Sequence, residues 1–212
     1  MRGAIQYPDT ELERRLWSSG FKTVVGLDEA GRGPWAGPVT AGAVIIGDDT
    51  QIVSSVRDSK KMSFKQREEA FEEIKESCVG WGIGEISSTE IDRVGIQKAV
   101  LMAMFSAIKQ AEEMVGVRAD YLIVDGKNVL LLAGYKMEKM NKGDANHYSI
   151  AAASVLAKVH RDRVMKQYAE KYPLYGFDSH MGYGTAAHRA ALQAYGPTEI
   201  HRKTYKPVAA LI

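Results

Sequence analysis

One segment near the beginning of the chain determines its architecture: Lys22-Thr-Val-Val-Gly-Leu-Asp-Glu-Ala-Gly-Arg-Gly-Pro34. Its first six residues are rich in β-branched and apolar side chains, which predicts a strand. The glycines and the proline that follow predict a tight turn. Adjacent carboxylates on a regular strand point to opposite faces of the sheet, so Asp28 and Glu29 converge only if the chain bends there. Gly31 and Gly33 permit that bend. We therefore predict a buried strand that ends in an acidic, glycine-rich turn.

The segments on both sides of this turn predict a mixed sheet flanked by helices. Further strands are predicted at residues 39–47, 79–86 and 121–124, of which the first could pair with residues 22–27 as a hairpin. Helices are predicted at residues 11–18, 63–77, 96–115, 145–172 and 186–195. The second of these helices opens with a capping-box pattern, Ser63-Phe-Lys-Gln66. A glycine-rich loop is predicted at residues 176–184.

The composition of the 212-residue chain is that of a globular protein, with 45% apolar and 25% charged residues. It excludes a disordered or fibrous chain, and the length fits one core with an appendage. No apolar run approaches the roughly 20 residues of a membrane span, and no apolar signal segment is visible, so we expect a cytoplasmic protein. A single cysteine, Cys78, excludes a disulfide framework and a four-cysteine zinc site.

The net charge is only +2, but it is unevenly distributed along the chain. Residues 1–125 carry 15 basic and 20 acidic side chains, whereas residues 126–212 carry 13 basic and 6 acidic ones and all five histidines. A basic C-terminal part is typical of proteins that bind a polyanion such as nucleic acid. A basic surface that contacts only solvent gives the same pattern, so charge alone leaves both interpretations open.

Four acidic residues stand where predicted strands end or predicted helices begin: Asp28, Glu29, Asp125 and Asp144. Functional groups collect at such positions in α/β proteins. Local roles are available too, since Asp144 could be a helix N-cap and Asp125 forms a common turn dipeptide with the next glycine. If the four carboxylates converge, they repel one another and need cations among them.

Hard oxygen ligands favour Mg²⁺ or Mn²⁺ over zinc. Two such ions roughly 3.5–4 Å apart clamp the attacking and leaving oxygens of a phosphoryl displacement. The histidines lack the spacing of a zinc site, because His180 and His188 lie on either side of a glycine-rich loop. Carboxylates with basic flanks therefore indicate metal-dependent phosphodiester chemistry.

A series of motifs gives the chain a family resemblance. The motifs follow one another within residues 22–205: Gly26-Leu-Asp-Glu-Ala-Gly-Arg-Gly-Pro34, Gly37-Pro-Val39, Asp58-Ser-Lys-Lys61, Gly95-Ile-Gln-Lys-Ala99, Val124-Asp-Gly126, Ser149-Ile-Ala-Ala-Ala-Ser-Val-Leu-Ala-Lys-Val159, Arg161-Asp162, Gly182-Tyr-Gly-Thr185 and His201-Arg202. On these motifs the chain resembles ribonuclease HII, the type 2 ribonuclease H family, in its bacterial form. The first motif and the alanine-rich motif are the most specific.

The resemblance implies a ribonuclease H-like fold, an α/β fold with a five-stranded mixed sheet flanked by helices and a helical C-terminal extension. We expect a catalytic domain at residues 1–172 and an extension at residues 173–212 that packs on it as one unit. The implied enzyme is a monomeric endoribonuclease. It hydrolyses the RNA strand of RNA–DNA hybrids and cuts on the 5′ side of single ribonucleotides embedded in duplex DNA, leaving 3′-hydroxyl and 5′-phosphate ends.

The resemblance also implies roles for individual residues. The catalytic carboxylates, which bind two divalent ions (Mg²⁺ or Mn²⁺), are Asp28, Glu29, Asp125 and Asp144, with Asp28 bridging both ions. The backbone of Gly31, Arg32 and Gly33 holds the 2′-hydroxyl, the one group that distinguishes RNA from DNA at a single position. Tyr183 packs against the sugar of the following deoxynucleotide.

Four further residues are candidates for phosphate contacts: Lys60, Lys61, Ser154 and Lys158. The two adjacent lysines could equally be a solvated charge pair, and the serine could be a small packing residue. Trp35, beside the glycine turn, is interpreted as a packing residue. Two rival functions remain, a two-metal nuclease without preference for a ribonucleotide junction and a non-catalytic nucleic-acid binding module. The presence of all four carboxylates argues against the second rival.

Overall fold

The computed structural model describes residues 7–126 and 129–212. Within these ranges the chain forms five strands in one mixed sheet, in the order β3-β2-β1-β4-β5. The strands are β1 (Val24–Ala30), β2 (Val39–Ile45), β3 (Gly80–Ile86), β4 (Tyr121–Asp125) and β5 (Lys136–Met140). This is the five-stranded mixed sheet that the resemblance implies. The fifth strand is the one that periodicity did not predict.

The central strand β1 pairs with a neighbour on each side. It runs antiparallel to β2, with Asp28 opposite Gly42, so the predicted hairpin is confirmed. On its other side it runs parallel to β4, with Leu27 opposite Val124. Parallel pairing places the carboxyl ends of both strands at the same edge of the sheet, and Asp28 and Asp125 therefore stand side by side at that edge.

Helices cover both faces of the sheet. The α-helices in the described ranges are α1 (Glu11–Ser18), α2 (Phe64–Ser77), α3 (Ser88–Val94), α4 (Ile96–Val115), α5 (Gly143–Asn146), α6 (Tyr148–Lys171), α7 (Phe177–His180), α8 (Ala186–Tyr195) and α9 (Lys206–Ala209). The predictions at residues 11–18, 96–115 and 186–195 are confirmed. The capping box at Ser63 and Gln66 is formed as predicted. In the described part of the chain no helix is both long and apolar enough to cross a membrane.

Helix α4 packs on one face of the sheet and α6 on the other. The glycines of β3 allow a close approach by α4, because a Cβ atom at Gly82 or Gly84 would lie 2.1 or 2.0 Å from a carbonyl oxygen of that helix. Helix α6 buries Tyr148, Ala151, Val155 and Val159, which is the face expected from their spacing. The core is thus two apolar layers around β1 and β2, and the acidic edge lies at one end of it.

The starting residue predicted for the helix at residues 145–172 is wrong. Helix α5 ends at Asn146, His147 is extended, and α6 starts at Tyr148. The interruption has a non-local cause, because Asp9 forms a β-bridge with His147. The backbone of Asp9 accepts from the amide of Tyr148 and donates to the carbonyl of Asn146.

The glycine-rich loop predicted at residues 176–184 contains one helical turn, α7. Left-handed residues precede and follow that turn, Gly176 with φ +69° and Met181 with φ +51°. The loop is fixed to the glycine turn of the central strand, because the amide of Trp35 donates to the carbonyl of Gly182. Trp35 is buried and packs with Leu192 and Val208, as expected.

Candidate metal and nucleic-acid site

Three carboxylates meet at the carboxyl edge of the sheet. Asp28, Asp125 and Asp144 each offer one ligand oxygen, and these oxygens all lie within 4.8 Å of one another. Asp28 and Asp144 are 95% buried. The amide of Gly143 donates to Oδ1 of Asp125 at 2.6 Å, which fixes the start of α5 against the end of β4. This group of three aspartates has the donor chemistry of a site for a hard divalent cation.

Asp144 does not cap a helix. The N-cap of α5 is Lys142, which is left-handed with φ +57°, and no side chain makes a cap hydrogen bond there. Asp144 is the second residue of α5, and its Oδ2 atom lies 3.3 Å from Nζ of Lys60. The interpretation of Asp144 as an N-cap is therefore wrong.

Glu29 lies outside the group of three aspartates. Strand β1 continues through Ala30, yet Glu29 lines the same cavity as Asp28, and its charge helps to raise the pKa of Asp28. Its Oε1 atom accepts from Nη1 of Arg32 at 3.0 Å. Its Oε2 atom is buried and has no hydrogen-bond partner among the described residues. A buried carboxylate oxygen without a partner is a position that a cation or a water molecule would satisfy.

The electrostatics of this edge favour a bound cation. The pKa of Asp28 is raised well above its ordinary value by burial and by the charges of Glu29 and Asp125, although a hydrogen bond from Ser154 opposes the rise. Burial also raises the pKa values of Glu29 and Asp125. Charged carboxylates are therefore costly here, and a divalent ion between them would remove that cost.

Lys60 and Lys61, adjacent in sequence, have different surroundings. Burial alone would lower the pKa of Lys60, but the charges of Asp144 and Asp28 outweigh it and raise the pKa. Lys61 instead pairs with Asp58 at 3.7 Å on the surface. Only the first of the two lysines thus faces the carboxylates.

Ser154 and Lys158 lie on α6 beside the carboxylates. The hydroxyl of Ser154 is 2.8 Å from that of Ser59 and also bonds to Asp28, so this serine does more than fill space. Lys158 forms an ion pair with Asp162, and burial lowers the pKa of Lys158. Its charge is therefore already largely compensated within the fold.

A cavity of about 280 Å³ brings the predicted residues together. Its walls are formed by Asp28, Glu29, Ala30, Gly31, Arg32, Gly33, Ser59, Lys60, Asp125, Ser154, Lys158, Arg161 and Tyr183. Of the twelve predicted site residues, Lys61 and Asp144 are not on this wall. Asp144 reaches the site through Asp125 and Lys60.

Tyr183 stands opposite the glycine turn across this cavity. A Cβ atom at Gly33 would lie 3.8 Å from the ring of Tyr183. The tyrosine is 47% exposed, so its ring is not packed away against the C-terminal helices. The cavity therefore has a backbone wall without side-chain bulk on one side and an accessible aromatic ring on the other.

Two buried arginines hold the glycine turn in place. Arg202 donates to the carbonyls of Gly31, Arg32, Gly37 and Pro38 at 2.6 to 3.0 Å. Arg161 donates to the carbonyls of Ala36 and Pro38. Both are about 99% buried or more. The Arg161-Asp162 and His201-Arg202 motifs were visible in the sequence, but nothing local in them indicates that the arginines bind carbonyls instead of phosphates.

Two features of this turn require a glycine at position 31. Its φ of +96° is a conformation that other residues rarely adopt. A Cβ atom there would also lie 2.2 Å from Nε of Arg161. The arginines therefore hold the carbonyl groups of the turn, and Arg161 can come this close only because residue 31 has no side chain.

The chain is similar to known proteins over most of its length. A family model for ribonuclease HII matches residues 25–208. Ribonuclease HII of Bacillus subtilis is 47% identical over 199 residues, which is 94% of this chain and 75% of the relative. Ribonuclease HII of Caldicellulosiruptor bescii is 45% identical over 92% of both chains. The crystal structure of ribonuclease H2 from Pyrococcus horikoshii OT3 superposes with a TM-score of 0.70 at 24% identity, covering 89% of this chain and 96% of that one, and shows the shared fold.

Proposed function

Since the chain belongs to the ribonuclease HII family, whose members are hydrolytic nucleases acting on RNA–DNA hybrids, we propose that it also cuts duplex DNA on the 5′ side of a single embedded ribonucleotide. The products are a 3′-hydroxyl and a 5′-phosphate. The alternative is a two-metal nuclease of the same family without preference for a ribonucleotide junction.

One observation carries the proposal: three of the four carboxylates (Asp28, Glu29 and Asp125), the glycine turn and Tyr183 share a single small cavity. Binding of metal and phosphate alone requires neither a glycine turn without side chains nor an aromatic ring near it. A ribonucleotide in a DNA strand presents one extra hydroxyl, and a protein must approach it closely to detect it. The carbonyls of Gly31 and Arg32 are occupied by Arg202, so the amides of the turn are the groups that can bond to a 2′-oxygen.

The metal site of the proposed enzyme is built from Asp28, Glu29, Asp125 and Asp144. Enzymes of the ribonuclease H type use divalent cations, and three of these residues form a group that could hold one. Asp28, Glu29, Asp125 and Asp144 would hold two divalent ions, Mg²⁺ or Mn²⁺. Bound ions of this kind activate water and stabilise the leaving oxygen. The partnerless oxygen of Glu29 supports its inclusion as the fourth ligand.

The chain's basic residues would bind the substrate phosphates. Lys60 is the strongest candidate, because its ammonium group already faces the carboxylates and is otherwise largely exposed. Ser154 and Lys158 lie on the cavity wall and could reach a phosphate that enters it. Lys61 points away with Asp58 and would contact only a phosphate outside the cavity.

We place this activity in a monomer in a reducing cytoplasm. The proposal places the whole site, from the aspartate group to the glycine turn and Tyr183, in one copy of the chain. The single cysteine and the bacterial ribonuclease HII relatives support that compartment.

Cleavage mapping on three end-labelled substrates tests the proposal. The substrates are duplex DNA with one ribonucleotide, the same duplex without it, and a long RNA–DNA hybrid, each with Mg²⁺ and then Mn²⁺. We expect a single cut 5′ of the ribonucleotide, no cut in plain DNA and many cuts in the hybrid, with Asp28→Asn inactive on all three. Equal cutting of plain DNA would establish the alternative, a nuclease without preference for a ribonucleotide junction. Cutting of the hybrid alone would show that the enzyme lacks the proposed junction activity.

A further inference from the structure

Two buried histidines bond to each other beneath the loop that carries Tyr183. His188 lies on α8 and His201 follows it by 13 residues, and their Nε2 atoms are 3.0 Å apart. Both are at least 99% buried. The group of three or more potential metal ligands found in the described ranges is that of the aspartates, and it includes neither histidine. The histidine pair therefore needs a different explanation.

The hydrogen bonds around the pair allow only one arrangement of protons. The backbone amide of Thr198 donates to Nδ1 of His201 at 2.9 Å, so that nitrogen carries no proton. The proton of His201 must then be on Nε2, from which it is donated to Nε2 of His188. His188 consequently carries its proton on Nδ1 and donates it to the carbonyl of Tyr183 at 2.9 Å. Neutral imidazole has one donor and one acceptor, and both rings use both.

The relay Thr198–His201–His188–Tyr183 ends on the loop that carries Tyr183, where the amide of Thr185 also donates to the Tyr183 carbonyl at 2.8 Å. Tyr183 stands between two glycines, Gly182 with φ +79° and Gly184. Glycines add backbone freedom that must be lost when a loop is ordered. The carbonyl bonded by His188 belongs to the same residue whose ring faces Gly33, so the relay acts on the backbone directly beneath that ring.

The third histidine of this region supports the same loop from its other side. The ring of His180 stacks on that of His188, with 4.6 Å between ring centres. Its Nδ1 atom accepts from the amide of Gly182, and its Nε2 donates to the carbonyl of Tyr175. Gly182 and Tyr183 are thus both held by histidines.

We propose that His188 and His201 are positioning residues that fix the ring of Tyr183 across from the glycine turn and thereby set the preference for a ribonucleotide–DNA junction. The proposal rests on the proposed function, in which Tyr183 reads the sugar after the ribonucleotide. A ring already held in place loses less conformational freedom on binding, and accurate placement of a contact residue affects rate strongly.

Burial keeps the relay intact at neutral pH. It lowers the pKa of His188, and together with the charge that His188 would carry it lowers the pKa of His201 to about 4. A proton on either ring would place two N–H groups against each other or against the amide of Thr198. The neutral arrangement is therefore the one present when the enzyme works.

Two substitutions at His188 separate the halves of the relay. In His188→Asn the amide nitrogen takes the place of Nδ1, so the bond to Tyr183 is retained and the bond to His201 is lost. In His188→Gln the longer amide takes the place of Nε2, so the bond to His201 is retained and the bond to Tyr183 is lost. Thermal unfolding and cleavage of a long hybrid show whether each variant is folded and its carboxylate site works.

We expect His188→Gln to lower kcat/KM on a single-ribonucleotide duplex by about fivefold to tenfold, the effect of one hydrogen bond, with cleavage of the long hybrid nearly unchanged. His188→Asn keeps the bond to Tyr183 but loses the bond through which His201 orients it, so it should show a smaller loss, again confined to the single-ribonucleotide duplex. In Tyr183→Ala, which already lacks the ring, adding His188→Gln should cost nothing further. A merely structural histidine pair would instead lower both activities together with the melting temperature.

The outcomes separate this proposal from the function on which it rests. If Tyr183→Ala itself leaves junction cleavage unchanged, the role assigned to Tyr183 is wrong. If Tyr183→Ala lowers junction cleavage but His188→Gln does not, or if their losses add, the role of Tyr183 stands and the positioning proposal is overturned. Long-range ¹H–¹⁵N correlation spectra test the relay independently, since they must show the proton on Nε2 of His201 and on Nδ1 of His188.

Discussion

The ammonium group of Lys60 lies 3.3 Å from Oδ2 of Asp144, inside the group of carboxylates that would bind metal. A single, largely exposed ammonium gives only partial compensation to three aspartates whose ligand oxygens lie within 4.8 Å of one another. The metal-free protein therefore stores unfavourable electrostatic energy at its candidate active site, and divalent cations would release it.

Asp28→Asn should make the metal-free protein more stable while it abolishes cleavage. Burial and the neighbouring carboxylates make the charged form of Asp28 unfavourable in the folded state, and an amide removes that charge. We expect the free energy of unfolding in excess EDTA to rise by about 1–3 kcal/mol. Urea unfolding measures it.

The matched control is Asp48→Asn, an exposed acidic residue paired with Arg14 on the surface, which should change neither stability nor activity. Mg²⁺ should raise the melting temperature of the wild type more than that of Asp28→Asn. Wild-type cleavage that persists in excess EDTA would contradict the requirement for metal.

Asp144→Asn should separate metal binding from local stability. Asp144 makes no cap hydrogen bond, and its ion pair with the exposed Lys60 is worth at most about 1 kcal/mol. Stability should therefore change little, whereas the loss of a charged ligand should reduce turnover by orders of magnitude. Single-turnover cleavage and thermal unfolding of the same preparation provide the two measurements. Near wild-type turnover would remove Asp144 from the metal site.

Arg202→Met should destabilise the protein by about 3 kcal/mol or more, because the buried carbonyls of Gly31 and Gly37 lose their side-chain donor and those of Arg32 and Pro38 keep only Tyr205 and Arg161. The control is Arg189→Met, an exposed arginine that lies over the ring of Trp35 and should cost less than about 1 kcal/mol. Urea unfolding compares the two variants. A small loss at Arg202 would mean that the carbonyls of the glycine turn find water instead.

The sequence predicted those parts of the fold whose signal is local. Helix α4 has regular apolar spacing, and the capping box at Ser63 is complete within four residues, so both were correctly placed. Strand β5 was missed because Lys136–Met140 is an edge strand of charged residues and methionines without β-branched residues. The break at His147 depends on Asp9, more than a hundred residues away, and no local pattern shows it.

The candidate site could be predicted only through the family resemblance. An aspartate at the start of a helix looks the same in sequence whether it caps the helix or binds metal. Only the structure separates the two, because Lys142 is the N-cap and Asp144 lies beside Asp28 and Asp125. Glu29 lies outside the aspartate group although it lines the same cavity as Asp28, and no local pattern shows which of the two adjacent carboxylates joins that group. A buried arginine such as Arg202 cannot be recognised from sequence, because its partners are carbonyls that every residue carries.

The stability of the protein should fall between about pH 6.5 and pH 4 through His201. Its pKa in the folded state is lowered from 6.5 to about 4 by burial and by His188. The unfolded chain therefore takes up a proton in that range while the folded protein does not, and unfolding is favoured as the pH falls. Above about pH 6.5 the contribution is constant.

The difference in unfolding free energy between wild type and His201→Asn isolates this effect. Carboxylates with raised pKa values, such as Asp28, act in the opposite direction, since the folded protein binds their protons more readily. They cancel in the difference because both proteins contain them. The wild type should lose more stability than the variant on acidification from pH 7 to pH 5, as measured by urea unfolding, and parallel curves would show that His201 titrates normally.

Tyr183 should affect cleavage at a single ribonucleotide more than cleavage of a long hybrid. Its half-exposed ring faces Gly33 across the cavity, where it can pack against the sugar that follows the ribonucleotide. In the proposed function, a ribose at that position would have an additional hydroxyl and fit less well, and the ring would thereby read the change from RNA to DNA. Aromatic stacking on a base is worth about 1–3 kcal/mol, and a contact with a sugar should lie at the lower end.

Tyr183→Ala should therefore lower the cleavage rate on a single-ribonucleotide duplex by at least about tenfold, which corresponds to about 1.4 kcal/mol. Tyr183→Phe is the matched control, because it keeps the face of the ring and removes only the hydroxyl, and it should keep most of the activity. On a long RNA–DNA hybrid no junction is available to be read, so Tyr183→Ala should lose less there. Equal losses on both substrates would show that Tyr183 serves catalysis or folding in general, since a contact that reads the junction cannot matter where every sugar in the cut strand is a ribose.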